Sequence, residues 1–221
     1  MGVLITKGKV NFMINVFLIG DSISLDYGEF IKDYVDRGIN VYGKPGAEEA
    51  YVNLDIPVAG NGGDSSMILE YINEVKDKDI MKCDYFFFNC GLHDIKHDME
   101  SKKIQVPIED YIKNLHCIID FMQKRSVKTV FINTTPAATE RYDSTFPFYR
   151  LTEDVPEYNM AAEKVMKERN VPVIDLYSFT KALKLEGDDL FRDHTHFCDD
   201  VRKLHAAFIA GQINAFVKTM K

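Results

Sequence analysis

Short apolar runs and helical stripes alternate along the whole chain. Val16-Phe17-Leu18-Ile19 is an unbroken apolar run, the pattern of a parallel strand covered on both faces. Residues 10–19 read with it as the first strand. Phe30, Ile31, Tyr34 and Val35 then share one helical face, closed by Gly38. A second extended run is expected over residues 51–59, ending in Gly60-Asn61-Gly62-Gly63. Asp64 or Ser65 can cap the next helix, whose buried face carries Ile68, Leu69, Ile72 and Val75. Tyr85-Phe86-Phe87-Phe88 is the third strand and ends at Cys90-Gly91. Pro107 suits the first turn of a helix with the stripe Ile108, Tyr111, Ile112, Leu115, Ile119 and Met122. Residues 127–134 form a fourth, β-branched strand. Residues 136–154 show no period and read as a long loop. Residues 156–169 read as helix and 171–176 as a fifth strand. A last helix over 199–220 buries Leu204, Phe208, Ile209 and Phe216.

Strand–helix alternation of this kind predicts one α/β domain: a five-stranded parallel sheet in a three-layer α/β/α, flavodoxin-like arrangement. In such sheets ligands bind beyond the carboxyl ends of the strands, where the strand order reverses. No repeat, low-complexity tract or shift in composition marks a second domain within residues 1–221. Met13 offers an alternative start, which makes residues 1–12 a frayed extension.

With 221 residues, 46% hydrophobic and 28% charged, the chain can bury a core without a metal or disulfide staple. Its net charge of −7 argues against binding a phosphate backbone, so no nucleic-acid partner is expected. No apolar run reaches the length of a membrane span. The apolar start is broken by Asn11 and Asn15 and lacks a small-residue cleavage site. Cys83, Cys90, Cys117 and Cys198 show no framework spacing and read as free thiols. These features together point to the cytoplasm.

The polar residues gather where the strands end. Strand one delivers Gly20-Asp21-Ser22, strand two Gly60 to Gly63, and strand three Gly91-Leu92-His93-Asp94. Asp193-His194-Thr195-His196 precedes the last helix. All four segments should converge on one edge of the sheet. A serine, glycine amides and an Asp/His pair are the parts of acyl transfer. Asp193 and His196, three apart, can hydrogen-bond so that the imidazole's other nitrogen takes a proton from Ser22. The Gly63 amide has no side chain to block it and can face a developing oxyanion. Each piece alone has a plainer reading as a cap, a loop or a strand end. Their order along the chain favours a site.

These four segments resemble the sequence blocks of the GDSL/SGNH hydrolases, over residues 22–196. The resemblance implies that Ser22 is the nucleophile, His196 the general base and Asp193 its orienting partner. The amides of Ser22 and Gly63 would then serve the oxyanion hole. Tyr158-Asn159, followed by the strand leading to Asp175, also resembles the run before the family's last block. One position departs. The family's third block usually reads Gly-x-Asn-Asp, with the asparagine donating to the oxyanion; here His93 stands in that place. An imidazole N–H can also donate, but it titrates.

The resemblance implies a serine esterase acting on a small-molecule ester, with no metal or cofactor. The aromatic, polar loop carrying Arg141, Tyr142, Phe146, Phe148, Tyr149 and Arg150 offers no long apolar groove. Short acyl groups are therefore expected, acetyl on a sugar among them. Two rivals remain. Asp21, Asp64, His93, Asp94, His97 and His194 or His196 are ligand types for a dinuclear metallophosphoesterase. That class's early histidine falls on Ile23, however, and no second aspartate follows Asp64 at the needed spacing. A non-catalytic carbohydrate-binding module is the other rival. The G-x-S-x-G elbow of α/β-hydrolases is missing, because position 24 is serine. Oligomeric state is not legible.

Overall fold

The computed structural model describes residues 3–6, 9–142, 145–184 and 190–219. Parts of the proposed N-terminal extension (residues 1, 2, 7 and 8), two positions of the long loop (143 and 144) and Met220 lie outside the described residues. The backbone of β1 (Val3–Thr6) pairs antiparallel with β2 (Lys9–Phe12), ahead of the main sheet.

The main sheet contains β3 (Ile14–Ile19), β4 (Ile39–Gly43), β5 (Tyr85–Phe88), β7 (Lys128–Ile132) and β9 (Val173–Ile174), in the order β4-β3-β5-β7-β9. Every pairing in it is parallel. Taken in chain order, the first strand lies between the second and the third, so connections leave it in both directions. The crevice at that reversal, between the ends of β3 and β5, is where an open α/β sheet holds its ligand. The short pair β6 (His97–Asp98) and β8 (Phe148–Tyr149) pins the long loop beside that edge.

Helices cover the sheet's two faces. On one, α1 (Ser22–Ile31) packs on α7 (Asp199–Thr219), which also meets α6 (Leu176–Ala182). On the other, α3 (Ser65–Glu74), α4 (Ile108–Gln123) and α5 (Asp154–Glu168) pack in sequence. A four-residue turn of helix, α2 (Ala47–Ala50), comes after β4. The unbroken run of β5 is explained by this burial, since successive side chains enter opposite layers. Phe86 and Phe88 stack on one face, while Phe87 meets Tyr85 and Phe216 of α7 on the other. All three phenylalanines are fully buried, each contributing roughly 1.5–3 kcal/mol of transfer free energy.

The structure corrects several sequence expectations. The second sheet strand is β4, not residues 51–59. That segment folds as turns: the Asn53 side chain accepts from the Asp55 amide, Pro57 lacks an N–H, and Val52 and Ile56 are exposed. The first helix stops at Ile31, leaving Tyr34 exposed. The last helix buries Ile209 but leaves Leu204 exposed. The chain leaves β9 directly into the short helix α6, capped by Asp175 through Ser178 N.

Candidate active site

Ser22 is the first residue of α1, directly after β3. Asp21 caps the helix by accepting from Ile23 N at 3.0 Å. The Ser22 amide, at the helix start, has no carbonyl one turn earlier to accept from it. Burial pushes the Asp21 carboxyl up to about 6, against the pull of the Ile23 amide and of Arg150.

Asp193 and His196 sit at the tip of a turn closed by two backbone bonds. Arg192 N donates to His196 O at 2.8 Å, and Cys198 N to Leu190 O at 3.0 Å. Inside the turn, Asp193 Oδ1 accepts from the amides of Thr195 (2.8 Å) and His196 (2.7 Å). The carboxylate is thereby fixed before it meets the ring. Asp193 Oδ2 then accepts from His196 Nδ1 at 2.8 Å, which leaves Nε2 to face Ser22 Oγ at 2.9 Å. Burial alone would raise the Asp193 carboxyl, but the His196 ring and the two amides hold it well below the usual carboxylate range. Ser22 and His196 are both buried. Serine, imidazole and carboxylate thus form one continuous hydrogen-bonded chain, an arrangement that can move a proton off Ser22 Oγ.

Gly63 adopts a φ of +69°, and a Cβ there would lie 2.5 Å from Met67 Sδ and 2.8 Å from Pro57 Cβ. Its amide donates to Asn61 Oδ1 at 3.0 Å. Serving an oxyanion would require it to share that bond or turn from it. Asp64 caps α3 by accepting from Met67 N.

His93 lies just after Gly91, whose φ of +149° lets the backbone press against Thr134; a Cβ would sit 2.0 Å from Thr134 Oγ1. The His93 ring is buried, and among the described residues neither of its nitrogens has a hydrogen-bond partner. Burial, then Lys96, Arg150 and His196, push its pKa well below the usual histidine value. The shift favours the neutral ring, which still carries one N–H to donate. Asp94 accepts from Ser65 N at 3.0 Å and so joins this block to α3. Burial raises its carboxyl to about 8.

The metal-ligand reading finds its residues spent elsewhere. Asp21, Asp64 and Asp94 accept from backbone amides at helix starts. His97 Nε2 pairs with Asp154 at 2.7 Å and its ring stacks on Tyr149. His194 pairs through Nε2 with Asp55 at 3.1 Å, against Tyr142 and Phe146. Among the described residues no group of three or more such side chains is arranged to hold an ion. Tyr158 and Asn159 stitch the fold: Tyr158 donates to Val106 O, while Asn159 bonds both N and O of Thr134.

Two residues that were given no site role stand close to the triad. Arg150 is buried and donates from Nε to Leu92 O at 2.6 Å and from Nη1 to Thr195 Oγ1 at 2.8 Å. It also meets Tyr142 OH. Lys96 lies beneath the Phe148 ring. In the sequence Arg150 is marked only as a cation after Phe148 and Tyr149, and Lys96 by its place three residues after His93. Beside them a cavity of about 590 Å³ is lined by Asn53, Asp55, Lys96, Gln105 and Phe148, among others. A second, of about 480 Å³, runs from Gly20 and Ser24 along α1 and β4 to Tyr51.

A parallel sheet with 2-1-3-4-5 order and a Ser–His–Asp chain at its reversal defines a class of hydrolase. The family model of the GDSL-like lipase/acylhydrolase family matches residues 18–204, and the chain belongs to that family of ester hydrolases. Its fold is similar to the lipase/acylhydrolase from Enterococcus faecalis, with 20% identity and TM-score 0.63, covering 92% of this chain and 96% of that one. It is also similar to the acetyl xylan esterase AlAXEase (18%, TM-score 0.65, 90% and 100%). A third likeness is to the esterase EstA from a Pseudoalteromonas species (12%, TM-score 0.62, 92% and 98%). No curated protein matches the sequence. No helix among the described residues is long and apolar enough to cross a membrane.

Proposed function

We propose that this protein is a serine esterase that cleaves short-acyl carboxylic esters, acetyl esters of carbohydrates among them, through an acyl-enzyme. The observation that carries the reading is the chain from Ser22 Oγ through His196 to Asp193, with distances of 2.9 and 2.8 Å.

Ser22 Oγ attacks the ester carbonyl as His196 Nε2 takes its proton. The imidazolium that forms is stabilised by Asp193, which keeps the remaining proton on Nδ1. The carbonyl oxygen becomes an oxyanion, with the Ser22 amide, the Gly63 amide and the His93 ring N–H as its proposed donors. Collapse expels the alcohol, which leaves with the proton from His196. Water then repeats the sequence on the acyl-serine, releasing the acid and restoring Ser22.

A short acyl group is supported by the aromatic side chains of the 136–154 loop, Tyr142, Phe146 and Phe148, which pack on His194 close to the triad. A carbohydrate alcohol is supported by the polar and aromatic lining of the larger cavity and by the acetyl xylan esterase neighbour. The test is a series of p-nitrophenyl esters of rising chain length, run beside acetylated sugars and with EDTA. Turnover should fall as the acyl chain lengthens and should survive the chelator. Preference for long chains overturns the short-acyl reading, and activity lost to EDTA and regained with Mn²⁺ or Zn²⁺ overturns the serine mechanism.

A further inference from the structure

The larger cavity has in its wall a buried cation that forms no ion pair among the described residues. Lys96 is 7% exposed; its Nζ donates to the Asp55 carbonyl at 2.6 Å and lies 4.1 Å from the centre of the Phe148 ring. Of the ammonium's three N–H donors one goes to the Asp55 carbonyl and the Phe148 ring face takes another, which leaves one without an acceptor among the described residues. Burying an ammonium without a partner is costly, and it is usually found paired.

The surrounding charges do not supply the partner. The Asp55 carboxylate accepts from His194, Asp64 accepts from Met67 N and Gln105, and Asp21 caps α1. None forms an ion pair with Lys96. Arg150 is a second buried cation, with no carboxylate partner among the described residues, and burial holds His93 well below the ordinary histidine value. Lys103 adds positive charge at the cavity's rim, while Asp98 there is occupied by Ser101.

The cavity also adjoins the reacting groups. Its Asp55 wall holds His194, two residues before His196. Its Pro57 wall lies against Gly63. The cavity thus shares walls with the segments that carry His196 and Gly63.

We propose that this cavity receives the alcohol portion of the ester and that Lys96 pairs with a carboxylate carried on it. The preferred substrates are then O-acylated hydroxy acids, sugar acids included. The inference rests on the serine-esterase reading and names the substrate class for it. A carboxylate fits better than a phosphate, because one ammonium balances one negative charge. Asp55 and Asp98 on the same walls would also oppose a dianion.

The proton on Lys96 gives the pairing a pH signature. Burial, then Arg150, pull its pKa down to about 7, while Asp55, Asp21 and Asp64 oppose the shift. The preference should therefore be full in mild acid and fade in alkali, whereas the neutral-ester rate has no reason to follow it.

The test compares 2-acetoxypropanoate with its size-matched neutral partner 2-acetoxypropanamide, with 2-acetoxyethyl phosphate as the phosphate arm. At about pH 6 the wild-type kcat/KM should favour the propanoate by about tenfold or more over the amide, as one added ion pair allows. It should favour it over the phosphate as well. Above about pH 8 the advantage should shrink. Lys96→Met should bring the ratio near one. Lys96→Arg should keep the preference without the alkaline fade, since a guanidinium does not titrate there. A wild-type ratio near one at about pH 6, a phosphate preference, or a ratio that survives Lys96→Met overturns the proposal. Calorimetry of 2-acetoxypropanoate on the Ser22→Ala protein separates the two readings. Binding there that Lys96→Met abolishes, with no turnover of either ester by the wild type, keeps the anion site and sinks the esterase. Turnover without discrimination does the reverse.

Discussion

The Arg150 guanidinium donates to the Leu92 carbonyl at 2.6 Å, next to His93. The same side chain reaches Thr195, next to His196. One buried arginine therefore joins the loop of residues 136–154 to both histidine-bearing segments.

Its loss should disturb geometry more than binding. Arg150→Met removes three charge-assisted hydrogen bonds, to Leu92, Thr195 and Tyr142, and a small displacement of His196 lowers the rate steeply. We expect kcat to fall by about 10- to 100-fold with KM changed less. Arg150→Lys should recover part of the loss. Steady-state kinetics with melting curves check this; an unchanged kcat in folded Arg150→Met contradicts it.

His93 is the second test. If its N–H serves the oxyanion, His93→Ala should lower kcat by about 10²- to 10³-fold with KM little changed. His93→Asn should restore part of the loss, because a carboxamide also donates. The ring is held neutral by burial and by its cationic neighbours, so wild type and His93→Asn should share the same alkaline pH profile. A descending limb that His93→Asn removes would contradict the neutral ring.

Asp193 and His194 should separate into different kinds of defect. Asp193→Asn leaves His196 without its tautomer lock, and turnover should fall by about 10⁴-fold. His194→Ala should act on folding, because it strands Asp55 and opens the cluster with Tyr142 and Phe146. A loss of about 1–3 kcal/mol in unfolding free energy is expected. Denaturant titration beside kinetics distinguishes them; a stable, inactive His194→Ala would reverse the assignment.

Asp21 and Asp94 should each lose stabilising effect as pH rises from about 4 to about 8, while His93 and His205, buried and held below the ordinary histidine value, work the other way up to about pH 6.5. An unfolded aspartate loses its proton near pH 4, whereas Asp21 keeps its own to about 6 and Asp94 to about 8. At these two carboxyls the folded chain holds more protons than the unfolded one in that window, so their deprotonation favours unfolding. Asp193 acts in the other direction and lower down. Its depressed carboxyl stabilises the fold above about pH 4, and that contribution is lost as pH falls through the folded value. Asp94→Asn keeps an oxygen for Ser65 N but cannot ionise. Its unfolding free energy should rise relative to that of the wild type as pH goes from about 5 to about 8; a difference that stays constant contradicts the assignment.

The sequence carried the parts of the site that are local. Gly-Asp-Ser after an apolar run and Asp-x-x-His before a long helix are short-range patterns, and the parallel sheet orders their neighbours. β4 was missed because Ile39–Gly43 is an edge strand that is only half covered, so its apolar signal is diluted by Asn40. Residues 51–59 misled because Tyr51, Val52, Ile56 and Val58 look like strand residues but are exposed on turns. The Asn61 bond to the Gly63 amide, the Asp55–His194 pair and the Arg150 contacts to Leu92 and Thr195 join loops that only folding brings together. Apart from the two-residue Asn61 bond, no spacing in the chain announces them.

The central claim is that Ser22 is an activated nucleophile, and covalent capture measures it most directly. A fluorophosphonate offers phosphorus to Ser22 Oγ, with fluoride leaving as the P–O bond forms. Mass spectrometry of the intact protein and its peptides should find a single adduct, on Ser22, which is absent from Ser22→Ala and much slower to form in His196→Ala. An unlabelled Ser22 in the folded wild-type protein, or an adduct on another residue, would contradict the account.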